Sequence, residues 1–469
     1  MADQNHDIAL MAHLMRRAGF GAQYAELEER AAKGYDATVE ELLNPEVNPH
    51  GMDLDVAERC FIEWSHQTRG VPEYFAFRMI NSRCQLEEKM VLFWHGILCT
   101  ADSKTQSYPT SYDEIEMFRE LGMGSFRDLL VGISRDPAMI FFLDNCLSHK
   151  GAINENYGRE LLELFSMGVG MDGEFNYTED DVKECARAFT GWTIANNIPG
   201  QPYGRYHAQF VYNPEDHDEG TKTFLGETGN FNGEDVIDII AKQPATARFI
   251  SRHLYSYFIS DEAQVPSWME TPPKDPETIK MLEDEYFRSG YNIKAMLRVL
   301  FHSDAFKNAR FQRVKSPVET VMGTMRLVGD WTEPKPGFEF IFDEMKHMGQ
   351  ELFNPPSVEG WHTGQEWIDG GTLVHRINFT ADFVGDVNQP GVREIINRLA
   401  DVGPLLSPEQ MVDTTCLLMG HYELADETRQ MMASSLEKGG TIHTDTEEFG
   451  NRVSELLQMI VATKEYIYA

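Results

Sequence analysis

A run of twelve residues, Asn154-Glu-Asn-Tyr-Gly-Arg-Glu-Leu-Leu-Glu-Leu-Phe165, gathers acid, base and amide groups at helical spacing. At about 100° per residue, Glu155, Asn156, Arg159 and Glu163 share one face, while Tyr157, Leu161, Leu164 and Phe165 share the opposite one. Glu155–Arg159 and Arg159–Glu163 are i,i+4 pairs, so one guanidinium can be held between two carboxylates. Such a face has two uses. It can be a solvated ion-pair ladder, with Glu155 favoured at the helix start by the macrodipole. Alternatively it can be buried against other polar groups, Glu160 among them, as a preorganised site for a metal or a substrate hydroxyl.

Other groups could join that chemistry. Glu215-Asp-His-Asp-Glu-Gly220 packs four carboxylates and an imidazole into six residues, and lacks the ligand spacing of an EF-hand. It is either a solvated acidic loop or a segment that brings His217 and Asp218 into a cleft with Glu155 or Glu160. The second arrangement is rich in oxygen with one nitrogen, which suits Mn, Fe, Zn or Ca better than Cu. His95, next to Trp94 in an apolar stripe, is a core histidine or a metal ligand. Arg16 and Arg17 can bind an anion through their planar donor forks, or Arg16 can form an internal salt bridge with the carboxylates of the 154–165 block. Trp361 and Trp367 can stack on a sugar or flat ligand, or close the core over a long loop.

The elements that must position these groups read as helices. Periodicity predicts Gln23 to Lys33 closing at Gly34, then one long helix from Glu73 to Ala101, then Ser125 to Ile133, Glu155 to Met167 and Asp180 to Trp192. Thr178 with Asp181 is close to a capping box. Helices follow over Glu234–Lys242, Ala245–Ile259, Pro276–Arg288, Ile293–His302 and Ser316–Val328, and again over Pro408–Met419, Asp426–Leu436 and Thr446–Thr463. Only Arg205–Tyr212 alternates like a strand. The expected fold is all-α: a large multi-helix domain with long irregular loop insertions and at most a minor β-hairpin. Residues 1–385 would form the signature-bearing domain. Residues 386–469 would form a helical segment packed on it or a small subdomain.

The order of motifs is similar to that of the bacterial domain-of-unknown-function family number 1800. The resemblance runs through His13-Leu-Met-Arg-Arg-Ala-Gly-Phe-Gly21, Phe93-Trp-His95, Phe126-Arg-Asp-Leu-Leu130, Asp136-Pro-Ala-Met139 and the 154–165 block. It continues through Thr190-Gly-Trp192, His217-Asp218, Lys222-Thr-Phe-Leu-Gly226, Lys315-Ser-Pro-Val-Glu319 and Gly360-Trp361, covering about residues 10–380, with a weaker echo at Glu465-Tyr466. It implies a helical fold and supplies no activity to carry over. Many relatives carry export signals and are encoded beside a sulfatase-like protein. Many also read Trp-His-x-His where this chain has Trp94-His95-Gly96-Ile97, and some have a histidine where Phe165 stands. If those histidines bind metal in relatives, this chain lacks candidate ligands.

Composition narrows the partners. Lys and Arg total 41 against 75 Asp and Glu, a net charge of −34, which argues against nucleic acid and anionic membranes. Six scattered cysteines form no C-x-x-C pair and read as free thiols, and the N-terminus shows no signal-peptide pattern, so a soluble cytoplasmic protein is expected. No serine-hydrolase elbow, zincin helix, Walker loop or dinucleotide fingerprint is present. Two functions remain. One is a hydrolase-like enzyme, metal-assisted or acid–base, acting on a polar or sugar-like substrate. Its catalytic groups would be Glu155, Arg159, Glu160, His217 and Asp218, its substrate contacts Arg16, Asn154, Asn156 and Trp361. Any divalent metal would be held by His95, Glu160 and His217. The other is a non-catalytic binding or assembly partner of a sulfatase-like protein.

Overall fold

Helix-start chemistry sets most boundaries. Thr178 and Asp181 form a reciprocal capping box, as do Asn232 with Asp235, Ser316 with Glu319, Asp369 with Thr372 and Ser407 with Gln410. Proline follows the cap at Pro244, Pro276, Pro317 and Pro408, where its fixed φ suits the first turn. The computed structural model describes residues 2–63, 70–171, 173–195, 208–335, 337–446 and 448–469. Among them the chain is mostly α-helical, with four two-stranded antiparallel pairs as the only sheets.

The helices that build the site are α1 (Ala2–Arg17), α2 (Gly70–Asn81), α3 (Gln85–Ile97), α4 (Tyr108–Leu121), α5 (Asn156–Glu163) and α6 (Glu179–Ala188). They are followed by α7 (Pro244–Phe258), α8 (Pro317–Val328), α9 (Phe340–His347) and α10 (Gly370–Gly385). The two-stranded sheets pair β1 (Gly170–Met171) with β2 (Glu174–Phe175), β3 (Trp192–Ala195) with β4 (Gln209–Tyr212), β5 (Lys222–Phe224) with β6 (Glu227–Gly229), and β7 (Leu405–Leu406) with β8 (Ile442–His443). The strand expected over Arg205–Tyr212 is β4; residues 205–207 lie outside the described ones.

The long helix expected from Glu73 to Ala101 is two helices, α2 and α3. The break is polar: the Cys84 N–H donates to the Ser82 hydroxyl at 3.0 Å, and the Arg83 N–H reaches the His50 carbonyl at 2.7 Å. Side-chain competition of this kind unseats a helical turn. Expected ends also move inward. α5 stops at Glu163 rather than Met167, and α6 stops at Ala188, because Gly191 turns the chain with φ +81° into β3.

α3 is buried on nearly every side, with Leu86, Met90, Val91 and Trp94 in the main hydrophobic core and Gln85, Glu88, Lys89 and His95 fully buried as well. Buried charges must be paired. Glu88 accordingly takes Arg78 at 2.6 Å and Arg119 at 2.9 Å. A second core lies within the helices Pro390–Val402, Pro408–Leu418, Asp426–Lys438 and Glu448–Val461 and reaches back to Leu327 and Val328 of α8. All six cysteines are free, and no helix among the described residues is long and apolar enough to cross a membrane.

Candidate functional site

A large cleft lies between the C-terminal end of α3, the middle of α7 and the long loop 348–369, and encloses about 1060 Å³ together with the solvent at its mouth. Its walls are aromatic: Phe93, Tyr257, Trp268, Trp361 and Trp367. Trp361 and Trp367 are 7% and 6% exposed and pack on Val314, so they close a small core and line the cleft at once. Trp268 is fixed by its indole N–H on the Ala263 carbonyl at 2.7 Å and meets the His253 ring edge-on at 5.0 Å. The Gln264 amide reaches across to the Trp361 carbonyl at 3.3 Å and the Thr363 hydroxyl at 3.2 Å.

His95 explains how the loop wall is held. Its Nε2 accepts the Phe353 N–H at 3.0 Å, and its ring lies 5.3 Å from that of Trp361. Burial pushes His95 down to about 3, so the imidazole is neutral and Nδ1 carries the proton, 3.8 Å from Glu114 Oε1. Burial pushes Glu114 up to about 8, against a 2.7 Å hydrogen bond from Thr100. Beside this contact Gly360 takes φ +83°, and a Cβ there would stand 2.2 Å from the Gly96 carbonyl oxygen. Cys99, fully buried, donates toward the Val358 carbonyl at 3.4 Å. His95 is therefore a positioning residue for the loop.

The floor is ionic. Glu319 accepts both contacts of Arg313 at 2.7 Å, the Ser316 N–H at 2.7 Å and the Lys89 ammonium. Burial alone would raise Glu319; Arg313, Lys89 and Arg17 outweigh it and hold the carboxyl well below the usual range. Arg313 lines the cleft and stacks 4.8 Å from the Tyr257 ring centroid. Burial pushes His253, also on the cleft, down to about 3, so it faces the cleft neutral.

One carboxyl of α5, a turn before Leu164 of the cleft lining, is shifted toward neutrality. Glu160 is pushed up to about 7, first by partial burial and then by Glu163 and Glu359, with Arg159 pulling the other way. Leu164, one turn further along, lines the cleft, and so does Glu359 from the opposite loop.

The other expected residues are placed elsewhere. Arg159 forms a bidentate pair with Glu179 at 2.9 and 2.7 Å and a looser one with Glu155 at 3.6 Å, on the surface. The expected Arg159–Glu163 rung is replaced, since Glu163 accepts the Tyr177 hydroxyl at 3.3 Å. Asn154 and Asn156 are structural: Asn154 Oδ1 accepts the Asn156 N–H at 3.0 Å, and the Asn156 amide donates to the Leu143 carbonyl at 3.2 Å. His217 is buried against the Thr190 carbonyl at 2.9 Å and the Tyr212 ring. Asp218 pairs with Arg187 at 2.8 Å, and that hydrogen bond holds it down to about 2. None of these described contacts joins His217 or Asp218 to Glu155 or Glu160. His217 is drawn away by Thr190 on the turn after α6, and Asp218 by Arg187 in the last turn of α6.

The metal set His95, Glu160 and His217 is likewise not assembled. Among the described residues one group of three is, namely Glu344, His347 and His375. Arg16 makes no salt bridge with the 154–165 block. It donates to the Gly420 carbonyl and lies 4.9 and 5.1 Å from the Phe311 and Tyr422 rings. Arg17 donates to the carbonyls of Tyr257 and Phe258, both at 3.0 Å, capping the end of α7. Sequence reasoning missed Glu359, His253, Arg313 and Glu319. Only the Ser316-x-x-Glu319 cap carried a local signal for any of them.

The family described as Protein of unknown function (DUF1800) matches residues 13–468, and the chain belongs to it. The match extends past the 10–380 region, through the C-terminal core. No curated protein and no solved structure matches the chain.

Proposed function

We propose that this member of the DUF1800 family is an acid–base hydrolase that takes a sugar-like substrate into the aromatic cleft, with Glu160 as proton donor. The observation that carries the reading is a half-buried carboxyl pushed up to about 7, within electrostatic reach of Glu359 on a cleft walled by three tryptophans. A group with that pKa is protonated in about half the molecules at pH 7 and can protonate a leaving oxygen. Indole rings stack on the C–H face of a sugar. Gln264, Gln350 and Ser256 supply the few polar contacts that orient hydroxyls in such a cleft. Glu359 supplies the second carboxylate, accepting the proton of an attacking water. The proton given at Glu160 and the one taken at Glu359 then balance across hydrolysis.

Tryptophan fluorescence titrations with a panel of oligosaccharides, alongside release of nitrophenol from nitrophenyl glycosides, test this. Glu160→Gln should keep saturable quenching and lower kcat by about 10²–10⁴-fold. Trp361→Ala should weaken the quenching titration. Absence of saturable quenching by every saccharide sinks the reading. Quenching without turnover in the parent protein would replace it with a non-catalytic carbohydrate-binding role, as expected of a partner to a sulfatase-like protein.

A further inference from the structure

We infer that Glu344, His347 and His375 form a binding site for one divalent transition ion of the zinc class, which ties α9 to α10. Glu344 and His347 are three apart on α9 and so share a helix face, while His375 comes from α10, and one ligand atom of each lies within 4.8 Å of the others. Glu344 Oε2 and His375 Nε2 are already 2.6 Å apart, and the rings of His347 and His375 are 5.1 Å apart. Donors on a tetrahedron of about 2.0 Å bonds stand about 3.3 Å from one another. Small side-chain rotations therefore convert the present arrangement into a coordination shell. The ion takes the place of the hydrogen between Glu344 Oε2 and His375 Nε2, and the neutral imidazole then carries its one proton on Nδ1.

The donor set narrows the ion. Two imidazoles and one carboxylate favour zinc over calcium or magnesium, which prefer all-oxygen shells. Three protein ligands leave a fourth position, and His347 is exposed, so that position faces water. His347 is also the last residue of α9, where the partial negative charge of the helix end favours a cation.

The placement gives the ion a role. Glu344 and His347 come immediately before loop 348–369, and His375 comes shortly after it. That loop carries Glu359, Trp361 and Trp367. An ion at this point staples the two ends of the cleft wall.

Titration of chelator-stripped full-length protein with Co(II) and Zn(II) tests the assignment, read by visible absorption of the cobalt form and by metal content after desalting. One ion per chain is expected, with the intense visible bands of four-coordinate cobalt, displaced by zinc. His347→Ala and His375→Ala should each weaken binding by at least about 100-fold, and Glu344→Gln by about 10-fold. Zinc should raise the Tm of the parent and leave that of the His347→Ala/His375→Ala protein unchanged. All three side chains are at least partly exposed, so the metal-free Tm of each variant serves as its folding control. Equal uptake by the parent and the double variant, or no uptake by the parent, overturns the site. The titration needs no cleft ligand, so its failure is separate from failure of the carbohydrate reading.

Discussion

Glu160 illustrates what a residue type cannot show by itself. It stood in the expected catalytic set with Glu155 and Arg159 as neighbours, yet those two form a solvated ion pair with Glu179, while Glu160 is half-buried and feels the charge of Glu359, which lines the cleft. Its folded pKa lies above the ordinary 4.5, so folding takes up a proton between 4.5 and about 7, and the carboxyl costs more stability as pH rises through that window. After allowance for solvent screening, Glu160→Gln should gain about 1 kcal/mol relative to the parent on going from pH 5 to pH 8, measured by urea denaturation at both values. Burial drives His13 the other way, down to about 3, while its ring hydrogen-bonds the Phe306 carbonyl at 2.8 Å. A histidine kept neutral in the fold contributes stability above about 6.5 that is lost on acidification. The parent should therefore lose about 2 kcal/mol more than His13→Gln between pH 7 and pH 5. Equal losses in the two proteins would contradict the buried neutral imidazole. Neither shift is legible in the sequence, because each is set by groups that arrive from distant segments.

At the scale of the element, local chemistry was readable and long-range docking was not. Thr178 with Asp181 marked the start of α6, and helical period placed the starts of α8 and Pro408–Leu418 within a residue or two. The break between α2 and α3 escaped, because the partner that draws Arg83 out of the helix is the carbonyl of His50, thirty-three residues earlier. Loop 348–369 is the same case at larger reach: its Phe353 is held by His95 and its Gly360 by the close approach of Gly96. Gly360→Ala combines an unfavourable left-handed φ with a steric clash on backbone. It should destabilise by about 2–4 kcal/mol and weaken any cleft ligand, readable as a lowered Tm together with a reduced fluorescence response. Unchanged melting in that variant would show that the loop can shift without cost.

Over the whole molecule, charge is segregated. The net charge is −34, yet Arg17, Lys89, Arg313 and Glu319 sit together in the interior, where each is 8% exposed or less. Composition foretold the acidic exterior and said nothing about the cationic centre, since a count carries no position. Repulsion among exposed carboxylates is screened by salt, whereas the interior pairs are shielded from it. Raising NaCl from low to about 0.5 M, beyond the concentration at which the Debye length falls below 8 Å, should therefore raise Tm. A falling Tm would mean that surface ion pairs outweigh surface repulsion.

Cys99 offers a clock for the cleft wall. Its thiol is sealed beneath Ser357 and Val358, and burial followed by Glu114 pushes it up to about 12. An alkylating reagent can meet it only during excursions that lift loop 348–369 from α3. The rate at which Cys99 is modified would thus count those openings directly, and anything that fastens the loop, from inside the cleft or at its base, would slow the count.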